Sequence, residues 1–344
     1  MRLSLCLGGA VLATAAALPP RAASAGRARP SVRRVQYRMG TVLEIDAAGP
    51  LPASSLEAAV ERAFAAVGRV ESRLSNWSPA SELSRANRAA GRSPFTLSPE
   101  TWGSLSAAFA LAEETGGAFD PTVGAITISK LVSTPADRNQ DPAAAVLASI
   151  GYRHARFDPE RGTLAFDSAE TAIDSGAFGK GEGLDAAAAA LRAGGVESAR
   201  LNFGGQILVF GSATPAGRTG GYGRVAVAAP DASGCVVSRV EIPDGSLSTS
   251  GDAEQPGHLI DPRTGRAASF HGSASVFAAA GLRADALSTA LFVMGPDAGL
   301  AFADARSIAA FFVEASGARR ASRAWRRLGS WAETPPAAAD RGNS

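Results

Sequence analysis

Leu56, Val60, Phe64, Val67, Val70 and Leu74 recur every three or four residues, which places them on one stripe of an α-helix. Ser54, followed three residues later by Glu57, marks the start of that helix as a capping box. Ahead of it, residues 35–47 alternate loosely and predict a strand around Met39-Gly40-Thr41. A polar loop over residues 75–92, carrying Trp77, comes next. A second helix opens at Ser98-Pro99-Glu100, with proline in the first helical position, and stops at Gly116-Gly117. Further on, the pattern predicts a strand over 164–174, a helix over 183–193 stopped by Gly194-Gly195, and strands over 199–210, 225–229 and 236–242. A turn-rich loop over 258–265 precedes a strand over 274–280. A helix over 283–293, a short helix over 298–305 beyond Pro296, and a closing strand over 308–313 complete the pattern. Helices alternate with strand groups of antiparallel character and no linker intervenes, which predicts one α+β domain over residues 35–333.

The two ends read differently. Arg2 precedes an uncharged apolar run over residues 3–18, and Ala23-Ser24-Ala25 forms a small-x-small cleavage site. Residues 1–25 are therefore expected to be an export signal, with residues 26–34 and 334–344 unstructured. This expectation places the protein in the periplasm or cell envelope, tethered to the membrane if the signal stays uncleaved. No later segment reads as long and apolar enough to span a bilayer. Removal of Cys6 with the signal leaves Cys235, so neither an intramolecular disulfide nor a cysteine metal cluster is available. The formal net charge of +2 is made of interspersed charges, without the basic footprint of a nucleic-acid binder.

The chemistry concentrates in a few segments. On the helix over 283–293, Asp285 and Thr289 are four residues apart and share a face, while Leu287, Leu291 and Phe292 point mainly into a core. A carboxylate over a hydroxyl suits a hard cation such as Mg2+ or Ca2+, and equally suits a buried aspartate hydrogen-bonded to its neighbour. Four glycine-rich segments, 116–122, 174–181, 202–206 and 248–252, have the composition of tight turns or of backbone that approaches a ligand closely. Lys180, just ahead of a predicted helix start, is suited to phosphate. None of these segments has the Walker or dinucleotide-fold spacing.

In order, the pieces Met39-Gly40-Thr41, Ser81-Glu82-Leu83-Ser84-Arg85-Ala86-Asn87, Gly117-Ala118-Phe119-Asp120-Pro121-Thr122-Val123-Gly124, Lys180-Gly181 with Asp185, Asn202-Phe203-Gly204-Gly205, Ser248-Thr249-Ser250-Gly251-Asp252, His258-Leu259-Ile260-Asp261-Pro262-Arg263-Thr264-Gly265 and Ala284-Asp285-Ala286-Leu287-Ser288-Thr289-Ala290 resemble the FAD:protein FMN transferase (ApbE) family. The resemblance runs from about Tyr37 to Ala315. It implies a tunnel-fold-like α+β domain that binds FAD and Mg2+, moves FMN onto a threonine or serine hydroxyl of an exported or membrane-bound acceptor protein, and releases AMP. By the same resemblance Asp285 and Thr289 are metal ligands, completed by a main-chain carbonyl near Gly179. Lys180 and Asp185 belong to the flavin and phosphate site. Met39 and Trp77 border the isoalloxazine ring, and Ala118, Phe119 and Asp120 border the adenine. His258 stands at the reaction centre; the metal or Asp261 are the alternatives for activating the acceptor hydroxyl.

The chain also departs from the family pattern. Gly179 replaces a usual alanine, Glu182 an aromatic, Gln206 an aspartate and Trp77 a tyrosine, and the stretch between Asp252 and His258 is short. These changes keep two alternatives in view: an enzyme that hydrolyses FAD to FMN and AMP, and an exported flavin-binding protein without turnover.

Overall fold

The structure, a computed structural model, describes residues 30–132, 144–211, 222–231, 235–253 and 256–330. The expected export signal and the C-terminal tail lie outside the described residues. The backbone of the fold is an eight-stranded antiparallel sheet in the order β1 (Ser31–Arg38), β2 (Thr41–Ala48), β6 (Ser198–Phe203), β7 (Gln206–Phe210), β10 (Gly245–Gly251), β13 (Gly272–Ala278), β14 (Ala309–Glu314) and β15 (Arg319–Ala321). Two three-stranded sheets flank it: β3 (Phe95–Thr96), β5 (Thr163–Phe166) and β4 (Ala155–Asp158) form one, and β16 (Gly329–Ser330), β9 (Val236–Glu241) and β8 (Arg224–Ala228) the other. A short hairpin pairs β11 (Ile260–Asp261) with β12 (Arg266–Ala267). The helices are α1 (Ala53–Leu74), α2 (Glu82–Ala89), α3 (Pro99–Glu114), α4 (Gly124–Val132), α5 (Ala144–Ala148), α6 (Gly179–Ala193) and α7 (Gly281–Ala305). The α+β architecture expected from the sequence is the observed one.

Alternation along the strands sorts side chains to the two faces of the large sheet. Leu208 and Phe210 join Leu43, Ile45, Leu201 and Phe203 in a core with α1 and α6. Ile207 and Val209 join Leu247, Phe311 and Val313 in a second core under β8, β9 and Trp325. There the Phe311 and Trp325 rings stack, 5.1 Å between centroids and 11° between planes. A third core, with Phe109, Phe119, Phe178, Leu287, Leu291 and Phe292, joins α3, the start of α6 and α7.

Several elements differ from the sequence pattern, each for a local reason. Residues 35–47 are a hairpin whose turn is Met39-Gly40, with φ of 47° and 78°. Its first strand begins at Ser31, inside the segment expected to be unstructured. Main-chain pairing of Ser31 with Ala48 and Val32 with Ala47 needs few apolar side chains. Residues 199–210 are also a hairpin, turning at Gly204-Gly205. The Ser54 capping box does not form: Pro52 caps α1 without a side-chain bond, and Glu57 reaches Arg34 at 2.7 Å instead. The polar loop over 75–92 contains α2, capped by Ser81, whose hydroxyl accepts from the Ser84 N–H. Only Leu83 and Ala86 give that helix an apolar stripe, too short to show as a period. The strand expected over 164–174 ends at Phe166, and the glycine-rich segment 248–252 is mostly the central strand β10. The loop over 258–265 holds β11, and β15 rather than residues 308–313 forms the sheet edge. α7 is long and apolar enough by composition to cross a membrane, but it breaks at Gly295 (φ 73°) before Pro296, and Leu287, Ala290, Leu291 and Phe292 are core residues.

Candidate active site

The site begins where α6 and α7 cross. α6 starts four residues earlier than its hydrophobic pattern indicates, because Gly179 and Gly181 read as turn residues but, like Gly183, serve as contact points. A Cβ at Gly181 would lie 2.2 Å from the Gly281 carbonyl oxygen, and one at Gly183 would lie 3.2 Å from Phe203 Cε1. Only hydrogen at Gly181 lets the two helix starts meet.

Neither helix caps itself: Phe178 before α6 and Ala280 before α7 make no side-chain cap bond. The caps come from across the crossing. Asp185 on α6 accepts from the N–H groups of Gly281 (2.6 Å) and Leu282 (2.9 Å) at the head of α7. Asp285 on α7 accepts from the Gly181 N–H at 3.1 Å in the first turn of α6. Burial pushes the Asp185 carboxyl above the ordinary aspartate value, against the pull of those two N–H groups.

Asp285, 4% exposed, also accepts from Ser248 Oγ at 3.3 Å and lies 3.8 Å from Lys180 Nζ. Beside it Ser250 Oγ sits 2.8 Å from Ser288 Oγ and 3.2 Å from Thr289 Oγ1. The structure therefore brings Asp285, Thr289 and Lys180 together, as the sequence indicated, and adds a layer of serines from β10. Ser246, Ser248 and Ser250 alternate along that strand, and Ser248 and Ser250 meet α7 while Ser246 donates to the Ile207 carbonyl; the period-two spacing was the signal that could have found them. Gln206, 2% exposed, donates from Nε2 to the Gly281 carbonyl at 2.9 Å and to Ser246 Oγ at 3.2 Å.

The other expected site residues are placed as follows. Gly179, near which a ligand carbonyl was expected, is the first residue of α6, at the end of the helix where Lys180 and Asp285 meet. Asp185 faces the head of α7. Half-buried Met39 lies against α6: a Cβ at Gly179 would be 3.2 Å from its Cε, and its main-chain N–H donates to Glu71 at 2.9 Å. Trp77 is 76% exposed, on a loop that Asn76 ties to the Ile173 carbonyl (2.8 Å) and the Ser175 N–H (3.0 Å), just ahead of α6. Both residues thus flank the head of α6. Ala118 and Phe119 are core residues, 3% and 2% exposed, so their backbone rather than their side chains is what a ligand could reach. Asp120 is buried and accepts from Thr122 N (2.9 Å), Thr122 Oγ1 (2.6 Å) and Tyr152 N (2.6 Å), holding the glycine loop onto the chain at Tyr152. Burial raises its carboxyl above the ordinary value. His258 is exposed on the loop before β11. Asp261 is gripped by Arg263 through two 2.8 Å bonds and so is engaged as an ion-pair partner.

Residues the sequence reading left without a role also meet here. Glu182, where an aromatic was expected, accepts from Ser104 Oγ at 2.6 Å and faces Arg73 at 3.7 Å. His271 Nδ1 lies 2.8 Å from Asp252 Oδ2, just beyond Ser250 on the same edge of β10.

An eight-stranded antiparallel sheet with these crossed helices is the fold of the ApbE flavin transferases. It matches the flavin transferase ApbE from Vibrio cholerae with a TM-score of 0.74 at 27% identity, over 88% of this chain and 100% of that one. It matches the apo flavinyl transferase ApbE of Pseudomonas stutzeri with a TM-score of 0.75 at 27% identity, over 88% and 98%. The ApbE family model matches residues 39–312, and the chain belongs to that family. Among its relatives are the FAD:protein FMN transferases of Vibrio cholerae, 32% identical over 256 residues (70% of this chain, 74% of the relative), and of Treponema pallidum, 31% identical over 294 residues (78% and 81%). Membership makes the chain a transferase.

Proposed function

We propose that the chain is an FAD:protein FMN transferase: it cleaves the pyrophosphate of FAD, joins FMN through a phosphoester to a threonine or serine hydroxyl of an acceptor protein, and releases AMP. The observation that carries this reading is the gathering of Asp285, Thr289, Ser250 and Lys180 at the head of α6.

Lys180 apart, the donors there are oxygens: the Asp285 carboxylate beside the hydroxyls of Ser248, Ser250, Ser288 and Thr289. That chemistry fits Mg2+, which favours oxygen ligands and few protein carboxylates when phosphates supply the rest. Asp285 and Thr289 would hold the ion, and when bound it neutralises and aligns the pyrophosphate. Lys180, at the head of α6, offers positive charge to the phosphates. Met39 and Trp77 flank the flavin ring, and the backbone of Ala118–Asp120 the adenine. His258 takes the proton of the acceptor hydroxyl as its oxygen bonds to the phosphorus of FMN. The bond from that phosphorus to the bridging oxygen breaks, and its electron pair leaves with AMP. Asp261, already paired with Arg263, steadies the loop on which His258 stands. Residues 1–25 support export, so the acceptor is an exported or membrane-bound protein.

Hydrolysis of FAD to FMN and AMP is the second reading, favoured by the exposure of His258 to water. Incubating the protein with FAD, Mg2+ and an acceptor domain, then weighing the acceptor, tests both. A mass gain equal to FMN supports transfer. AMP without a gain supports hydrolysis, and neither product removes both readings.

A further inference from the structure

Gly281, Asp285 and Thr289 are spaced by four and stand on one stripe of α7. The head of that stripe is held by side chains from two other elements. Asp185 of α6 takes the Gly281 N–H at 2.6 Å and the Leu282 N–H at 2.9 Å. Gln206, at the start of β7, gives its carboxamide N–H to the Gly281 carbonyl at 2.9 Å. Both polar groups of Gly281 are thus fixed, one helical turn before Asp285. The absence of a Cβ brings the Gly281 and Gly181 backbones into contact, and Asp285 returns the link by accepting from Gly181 at 3.1 Å. α7 has no cap of its own at Ala280, so nothing else in its first turn replaces Asp185.

We infer that Asp185 and Gln206 are positioning residues for the Asp285–Thr289 pair. They set the depth and rotation of the first two turns of α7, and so the place where the carboxylate and hydroxyl meet a cation. Asp185, expected in the flavin and phosphate site, gives both carboxylate oxygens to the head of α7. The inference rests on the reading of Asp285 and Thr289 as cation ligands, and the experiment separates the two.

The probe is Mn2+ alone, titrated into the full chain without FAD and followed by electron paramagnetic resonance. Wild type, Asp285→Ala, Asp185→Ala, Asp185→Asn and Gln206→Leu are compared, with thermal melts on each. The expected result is saturable binding by the wild type and its loss in Asp285→Ala. Affinity should fall by about tenfold or more in Asp185→Ala, the usual effect of removing a group that orients a ligand. Asp185→Asn, which keeps an acceptor oxygen, should lie between, and Gln206→Leu should follow Asp185→Ala. Riboflavin affinity, which needs no cation, should be unchanged in all of them. A role confined to stability would lower the melting temperature and leave the Mn2+ affinity of the folded protein as it was; that outcome in Asp185→Asn and Gln206→Leu overturns the inference. Should Asp185→Ala not fold, those two variants decide. No saturable binding by the wild type, or equal binding by Asp285→Ala, overturns the cation reading and the inference with it.

Discussion

Asp185 and Asp285 cap each other's helices: Asp185 accepts from the Gly281 and Leu282 N–H groups that open α7, and Asp285 accepts from the Gly181 N–H in the first turn of α6. Each helix start is a positive end with unpaired donors. Each aspartate places negative charge at the partner's positive end, and the Gly181–Gly281 contact between them leaves no room for a side chain. The proposed reaction centre is built on this exchange, so its geometry is a property of two helices together.

Asp285→Asn should keep an acceptor for Gly181 and hold the fold, yet abolish Mg2+-dependent FMN transfer, because the charge is removed from the only carboxylate in the proposed donor set. Asp285→Ala should lose transfer and also about 1 kcal/mol of stability through the lost cap. AMP release measured beside urea melts checks this; undiminished release by folded Asp285→Asn would refute the site.

Gly181→Ala should destabilise the protein by at least about 2 kcal/mol, since its Cβ would meet backbone at 2.2 Å and the helices must separate. Gly179→Ala restores the residue usual in the family; its tight contact is the flexible end of Met39 at 3.2 Å, with Ser175 at an ordinary 3.5 Å. Its stability should stay within about 1 kcal/mol of the wild type, with the better helix propensity of alanine on its side. Denaturant titrations of both variants provide the comparison, and equal effects would mean that the helix crossing is not tight.

Lys180→Ala should weaken FAD binding, with the difference from wild type shrinking as salt is added, because an ammonium facing phosphate is screened. Riboflavin lacks phosphate, so its affinity should change little. Fluorescence titrations with both flavins at two salt concentrations make the test. A similar loss for both flavins would assign Lys180 to the ring pocket or to the fold.

Glu82 gives a pH signature. Burial acts to raise its carboxyl, but hydrogen bonds from Thr101 and Ser98 and the charge of Arg73 outweigh it, so the group lies below its ordinary 4.5. With the folded value depressed, its contribution is complete above the unfolded value and is lost as pH falls through the folded one. Glu82→Gln should cost about 1–3 kcal/mol at neutral pH, the scale for a buried network deprived of its charge. The gap to the wild type should close in acid. Urea melts across the acid range read the gap directly, and a gap independent of pH would show that the network does not favour the ionised form.

His258→Ala should lower transfer by about a hundredfold or more while FAD binding survives, the usual scale for a positioned base. Asp261→Asn should have a smaller effect, acting through the Arg263 pair rather than on the hydroxyl. Single-turnover transfer to an acceptor domain ranks the two; a larger loss from Asp261→Asn would reverse their roles.

The sequence by itself determined the long elements and the ingredients of the site. The stripe from Leu56 to Leu74 spans five turns and can bury only one way, so α1 was legible. Ser98-Pro99 marked the start of α3 through local capping chemistry. The spacing of Asp285 and Thr289 put them on one face, and eight short motifs in order indicated the family. What tertiary structure decided is how glycines and short polar runs are used. Gly179, Gly181 and Gly183 have the local preference of turns and became helix because α7, Met39 and Phe203 press against them. Gly204-Gly205 and Met39-Gly40 split what read as single strands into hairpins, since pairing with neighbours repays a reversal that periodicity does not show. That Asp185 meets the Gly281 and Leu282 N–H groups depended on direction. Spacing along a chain gives the face a residue occupies; only the packed partner fixes what that face meets.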